Sequence, residues 1–310
     1  AMTRHTGEVD VYHIGRFKML GSRHNVQHWG CSCKQLRISS VVYRRFLYYL
    51  TADERVGDLM RALVNADQTF ENLDPLRTIR TEPYQPQPNA LSVGTGTDGS
   101  ALASAWLTEW ERTGDEQIRK KLVTAMTTLG EMDHGWFTGE PLFDPDTGRF
   151  HSWKPEAESA EVSHLSAVFG LVEICAELIQ NFDVPGFEKA WLDYCTYYNA
   201  PREVRREALG IDLRTGILTT GHSRLTAYAA HRLNDPALAE RAWQEFFSEL
   251  RRVPDRYSGT VRHIHGVDSL SPVTERVWMD TNTTAQYGLA AIQNLGLIGT
   301  SLPAEPPPSN

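Results

Sequence analysis

Four stretches of this chain repeat one pattern, and that repetition constrains the fold more than any other feature. A first segment ends in aromatic or apolar residues. A short polar loop carrying Asp or Asn follows, and an amphipathic segment then begins. The pattern occupies residues 46–53, 106–115, 178–185 and 228–236. Asp in such a loop caps the next helix, because its side-chain oxygen accepts from backbone N–H groups that lack a partner within the helix. Pro185 and Pro236 suit the first helical position, where no N–H is needed. Recurrence at roughly fifty to seventy residues marks stacked helical hairpins.

The two helices of each hairpin differ. The second has one apolar stripe at helical spacing: Val56, Leu59, Met60, Leu63 and Val64 in one case, and Ala239, Ala242, Trp243, Phe246 and Phe247 in another. The first is apolar nearly all round, as over residues 165–176, and such a helix is buried on most sides. Alternation of the two kinds implies an inner and an outer ring. A final inner-type helix is predicted over 283–295, giving five inner and four outer helices. The expected fold is all-α: an α/α toroid of helical hairpins, incomplete or closed as a barrel of five to six hairpins.

Three stretches break the helical pattern. Residues 1–30 alternate in places, as at Val9, Val11 and Ile14. Residues 134–154 contain Asp144-Pro145-Asp146-Thr147-Gly148 and read as a β-hairpin insertion. Residues 254–280 read as a long loop, which in a compact domain is often functional. The expected organisation is an N-terminal extension over 1–20, in which Ala1 before Met2 reads as a cloning scar, then the toroid over 21–300 and a disordered Pro-rich tail over 301–310.

Composition narrows the function. A net charge of −8 argues against a nucleic-acid grip and against docking on an anionic membrane. It leaves room for a local basic pocket that takes an acidic substrate. No apolar run reaches the ~18 residues of a membrane span. The start Ala1-Met2-Thr3-Arg4-His5 has no signal-peptide core, so the chain reads as cytoplasmic or as a domain excised from a secreted protein. Four Cys do not make a disulfide scaffold, and Cys175 and Cys195 fall in apolar stripes as core thiols.

Residues 24–37 hold the densest reactive chemistry. His24 and His28 offer proton transfer, Asn25 offers hydrogen bonds, and Lys34 and Arg37 suit an anion. Zinc held by His24, His28, Cys31 and Cys33 is disfavoured, because Cys-x-Cys is tighter than the usual spacing. No cofactor is expected, and no divalent cation is indicated. Other first-type helices open on comparable groups: Asp98 before one; Glu161, Ser163 and His164 at another; His222, Ser223, Arg224 and Tyr228 at a third; Asn282 and Gln286 at the last. Singly, an Asp or Ser there is more often a helix cap. Together they share one topological position, the N-terminal ends of inner helices, where a toroid gathers them and where anions are favoured. Gly94-Thr95-Gly96-Thr97-Asp98-Gly99 fits a dinucleotide fingerprint without the surrounding βαβ units. Asp144, Asp146 and Gly148 lack the frame of a calcium loop.

Residues 24–30, with Lys34, Gln35 and residues 37–39, resemble the exo-rhamnogalacturonan lyase family, as do residues 162–170 and 222–228. The likeness runs from about residue 20 to 295 and covers that family's catalytic α/α-toroid domain; the family's proteins are longer and carry β-rich domains as well. It implies β-elimination at a uronate-containing glycan. Such chemistry needs a base, a group that neutralises the uronate carboxylate, and an acid for the leaving oxygen. His28, His164 and His222 are candidates for the base and Tyr228 for the acid. Lys34, Arg37 and Arg224 are candidates for the anion. His24, Asn25, Asp98, His134 and Asn282 are further substrate-binding candidates. The partner implied is an acidic oligosaccharide or polysaccharide.

Two rivals differ in class. A glycoside hydrolase on the same fold would use two carboxylates, Asp98 with Glu161 or Asp280. A non-catalytic carbohydrate-binding or scaffold domain would use the helical surface alone. Imidazoles near Lys and Arg outnumber clustered carboxylates, which ranks elimination first.

Overall fold

A computed structural model of the chain describes residues 21–22, 34–36, 40–71, 85–139, 141–152, 160–162, 165–213, 218–248, 261–264, 273–276 and 281–305. Two compact units divide the chain: Ala1–Tyr194 with Arg205–Leu213, and Cys195–Val204 with Arg214–Asn310.

The first unit holds hairpins α1 (Arg44–Thr51) with α2 (Glu54–Arg61) and α3 (Asp98–Thr113) with α4 (Glu116–Gly130), then α5 (Leu171–Asn181) and all but the end of α6 (Pro185–Tyr197). The loops are built alike. Ala52 and Gly114 end α1 and α3 in the left-handed region, with φ of 51° and 69°. The next residue, Asp53 or Asp115, then caps α2 or α4 by accepting from Arg55 N or from Gln117 N and Ile118 N. The second unit repeats the device. α8 (Thr219–Leu233) ends at Asn234, φ 52°, and Asp235 caps α9 (Pro236–Ser248) through Ala237 N and Leu238 N. α10 (Thr281–Ile298) follows.

Burial separates the two kinds of helix where expected. α3 is buried on all sides from Ser100 to Glu109, apart from Ala103, while α4 buries only the stripe of Leu122, Ala125, Met126, Thr128 and Leu129. α8 and α9 repeat that contrast. Two first helices depart from it. α1 buries only Arg45 and leaves Phe46, Leu47, Tyr49 and Leu50 exposed. The helix expected from residue 165 begins instead at Leu171, because Ser166–Val168 is a 3-10 turn and Gly170 takes φ 95° against Val42.

α7 (Arg202–Leu209) is an element that periodicity missed. Its sequence, Arg-Glu-Val-Arg-Arg-Glu-Ala-Leu, has helix formers but no apolar stripe. What it buries is Arg205, whose guanidinium donates to Leu213 O at 2.6 Å.

The hairpin expected within 134–154 is present: β4 (Leu142–Phe143) pairs antiparallel with β5 (Phe150–His151), and β3 (Leu91–Ser92) adds a third strand. The carboxylate of Asp144 closes its turn by accepting from Asp146 N and the Thr147 hydroxyl. Residues 254–280 are not a plain loop. β6 (Val261–Ile264) and β7 (Val273–Arg276) form a hairpin in the register Val261 to Arg276. Each strand opens on a β-branched residue, Val261 or Val273, but neither has the period-2 alternation that would have announced it. Near the N-terminus, β1 (Gly21–Ser22) pairs with β2 (Lys34–Gln35).

The first unit's core centres on Trp136, Phe137, Phe187, Trp191 and Tyr194, with ring centroids 4.9 to 6.4 Å apart. Each such buried ring contributes about 1.5–3 kcal/mol. Beside it, α4 meets α6 backbone to backbone. A Cβ at Gly130 would lie 2.5 Å from Gly186 C and from Phe187 N.

Candidate functional site

α8 carries the largest set of predicted site residues within the described structure. Residues 220–230 are all buried, although His222, Ser223, Arg224, Thr226 and Tyr228 among them are polar. Small residues allow this. Gly221 lets α10 approach so closely that a Cβ there would lie 3.1 Å from Gln286 Cβ. Ala227, Ala229 and Ala230 keep the rest of the helix thin.

Buried polar groups need partners, and α8 finds them on its neighbours. Thr220 donates to Phe246 O at 3.0 Å, and Ser223 donates to Thr220 O at 2.7 Å. Asn294 of α10 donates to Ser223 Oγ at 3.0 Å, and Arg224 Nη1 to Gln293 Oε1 at 3.4 Å. Thr226 donates to Glu245 Oε2 at 2.7 Å. That same oxygen accepts from Asn199 Nδ2 at 2.9 Å, while Glu245 Oε1 accepts from Arg241 Nε at 3.1 Å. Burial pushes the Glu245 carboxyl above its ordinary value, against the opposing pull of Arg241, Asn199 and Thr226.

His222 is held separately. Its Nδ1 lies 2.8 Å from Leu218 O, and its ring stacks on Tyr198 at 4.6 Å between centroids. A carbonyl only accepts, so Nδ1 carries the proton in the neutral ring and Nε2 is the basic nitrogen. Leu218 sits at φ 61°, a strained region for a branched side chain.

Helix geometry sorts these groups. Arg224 and Tyr228 are one turn apart and share a stripe. His222 precedes Arg224 by two residues and so points about 200° round the helix. The cation and the phenol therefore stand together, and the imidazole faces Tyr198.

The other predicted residues fall as follows. Asp98 is the first residue of α3 and is buried. His134 precedes the 3-10 turn Gly135–Thr138 and is half-buried, its carbonyl accepting from Phe137 N at 2.8 Å. Both belong to the first unit. Glu161 is exposed and lies ten residues before α5 rather than at its start. Lys34 is in β2 opposite Ser22, and Asn282 is the second residue of α10. His24, Asn25, His28, Arg37, His164 and Asp280 lie outside the described residues. So do Cys31 and Cys33. Among the described residues no group of three or more His, Cys, Asp or Glu is placed to hold a metal. No helix of the described residues is long and apolar enough to cross a membrane.

Sequence reasoning missed Glu245 and Asn294. Each left a signal: Glu245 lies on the stripe of Leu238 and Ala242, and Asn294 on that of Ala290 and Ile298. A polar residue at a core position has to be hydrogen-bonded.

Comparison with known proteins places the chain. The family model of the PcRGLX-like protein C-terminal alpha/alpha toroid domain matches residues 1–303. The chain belongs to this rhamnogalacturonan lyase-like family, and its fold class is the α/α toroid. It is also similar to the uncharacterized protein YetA of Bacillus subtilis (strain 168), with 35% identity over 315 residues, covering 98% of this chain. The chain spans 35% of the length of that relative.

Proposed function

We propose that this domain cleaves a uronate-containing, rhamnogalacturonan-like glycan by β-elimination. The observation that carries the reading is the Arg224–Tyr228 stripe, a guanidinium and a phenol one turn apart in a toroid of a lyase-like family. A guanidinium binds a carboxylate through both oxygens. Neutralising the uronate carboxylate stabilises the enediolate-like intermediate that forms when the adjacent C–H is deprotonated. The electron pair of that C–H becomes the new double bond, and the C–O bond to the leaving sugar breaks. Tyr228 supplies the proton that the leaving oxygen takes up. His28, His164 and His222 are the imidazole candidates for the base; His222 supports this role through its basic Nε2.

Incubation with rhamnogalacturonan oligosaccharides tests the reading. The expected product has an unsaturated uronyl end that absorbs in the near ultraviolet. New reducing ends without that absorbance would replace elimination by hydrolysis, and binding without either product would leave a carbohydrate-binding domain.

A further inference from the structure

The first unit carries a groove of about 300 Å³ that uses no residue of α8. α4 supplies one wall through Arg119, Lys120, Thr124, Thr127 and Glu131, and Arg149 at the foot of β5 supplies the other. Three cations thus meet one carboxylate in a chain whose net charge is −8. The volume is at the lower end for small-molecule sites.

The walls are fixed. Gly148, at φ 79°, brings the turn so close to α4 that a Cβ there would lie 2.5 Å from Lys121 O. Phe150 N donates to Thr128 Oγ1 at 2.9 Å, tying β5 to the same helix. Arg149 is pinned at both backbone ends, its N–H donating to Thr147 Oγ1 at 3.3 Å and its carbonyl accepting from Asp144 N at 2.9 Å. Asp144 turns its carboxylate into its own turn. Arg119 is held over the rings of Trp110 and Phe182, at 5.9 and 5.6 Å.

The floor suits a sugar. Thr124 and Thr127 donate their hydroxyl protons to Lys120 O and Val123 O, at 2.8 and 2.9 Å. Their oxygens are thereby left as acceptors, the complement of a sugar's hydroxyl donors. Cations at the rim match a carboxylate.

We propose that this groove is a second binding site for an acidic sugar, taking a uronate carboxylate on Lys120 and Arg149 and ring hydroxyls on Thr124 and Thr127. It would hold a polymer at a point made by none of the candidate catalytic groups. Only the choice of glycan rests on the lyase reading.

Digalacturonate, a neutral disaccharide and inorganic phosphate are titrated into the full chain, following the Thr124 and Thr127 methyl signals by NMR. The same titrations use the double variant Lys120→Glu with Arg149→Glu, both exposed positions that leave the core intact. Digalacturonate is expected to shift both methyls, with affinity falling as salt rises. The double variant should weaken it by about tenfold, the scale of two exposed charge contacts. Unchanged affinity in the double variant overturns the site. So does a neutral disaccharide that binds as well, or phosphate that displaces digalacturonate at equal concentration. If neither protein makes an unsaturated product while the binding difference stands, the lyase reading falls and the groove survives. If product forms equally and the affinities do not differ, the groove alone falls.

Discussion

The carbonyl of Leu218 accepts two hydrogen bonds from one residue, His222: its backbone N–H at 2.9 Å and its ring Nδ1 at 2.8 Å. The pair fixes the start of α8 and the tautomer of the imidazole together. Nitrogen-15 NMR of neutral His222 is expected to find the proton on Nδ1 and a bare Nε2. A proton on Nε2 would refute the arrangement and remove His222 from the candidates for the base.

The proposed elimination gives Tyr228 the role of protonating the leaving oxygen. Tyr228→Phe keeps the ring and removes the proton. It should lower kcat by about 10²–10⁴-fold, the usual range for a general acid, with little change in KM. A matching melting temperature shows that the buried helix is intact. Unchanged kcat would move the acid role elsewhere.

Glu245 ties α9 to α8 and to the segment after α6. Its carboxyl is raised above the ordinary 4.5 by burial, so between 4.5 and its folded value the native state binds more protons than the unfolded one. Stability contributed by this group is therefore greatest at low pH and declines as pH rises through that window. Glu245→Gln should flatten that slope in a series of denaturation curves. At neutral pH it should cost about 1–3 kcal/mol, because an amide nitrogen then faces donors that the carboxylate had satisfied. A slope equal to that of the native chain would show that Glu245 is not the titrating group.

Ala52 closes α1 at φ 51° and is exposed. The left-handed conformation costs a residue with a Cβ about 1–2 kcal/mol, and glycine's freedom in the unfolded chain offsets part of any relief. Ala52→Gly should raise stability by about 0.5–1 kcal/mol in chemical denaturation. A loss of stability would mean that the loop is not strained there.

Gly130 is the opposite case, since α4 and α6 leave it no room for a Cβ. Gly130→Ala forces backbone apart and should cost about 1–3 kcal/mol despite alanine's better helix propensity. A neutral or stabilising result would show that the two helices separate freely.

Much of the fold was legible because hairpin chemistry is local. Asp53, Asp115 and Asp235 cap their helices through N–H groups two or three residues away, so the sequence alone announced these starts. Pro185 and Pro236 open α6 and α9 for the same local reason. Elements without a local or periodic signal were lost. α7 has no apolar stripe, and the start of α5 was hidden because Gly170 turns the chain at φ 95° only in contact with Val42.

The site divides along the same line. The sequence by itself determined which groups α8 carries and, through the 3.6-residue turn, that Arg224 and Tyr228 share a stripe. Only the tertiary structure decided what each meets: Tyr198 on His222, Gln293 on Arg224, and Glu245 shared between Asn199 and Thr226. Capping and helical periodicity act within a few residues, so they are written in order along the chain. Desolvation and pairing of buried polar groups join residues as far apart as Ser223 and Asn294, 71 positions along the chain, and no local pattern names the partner.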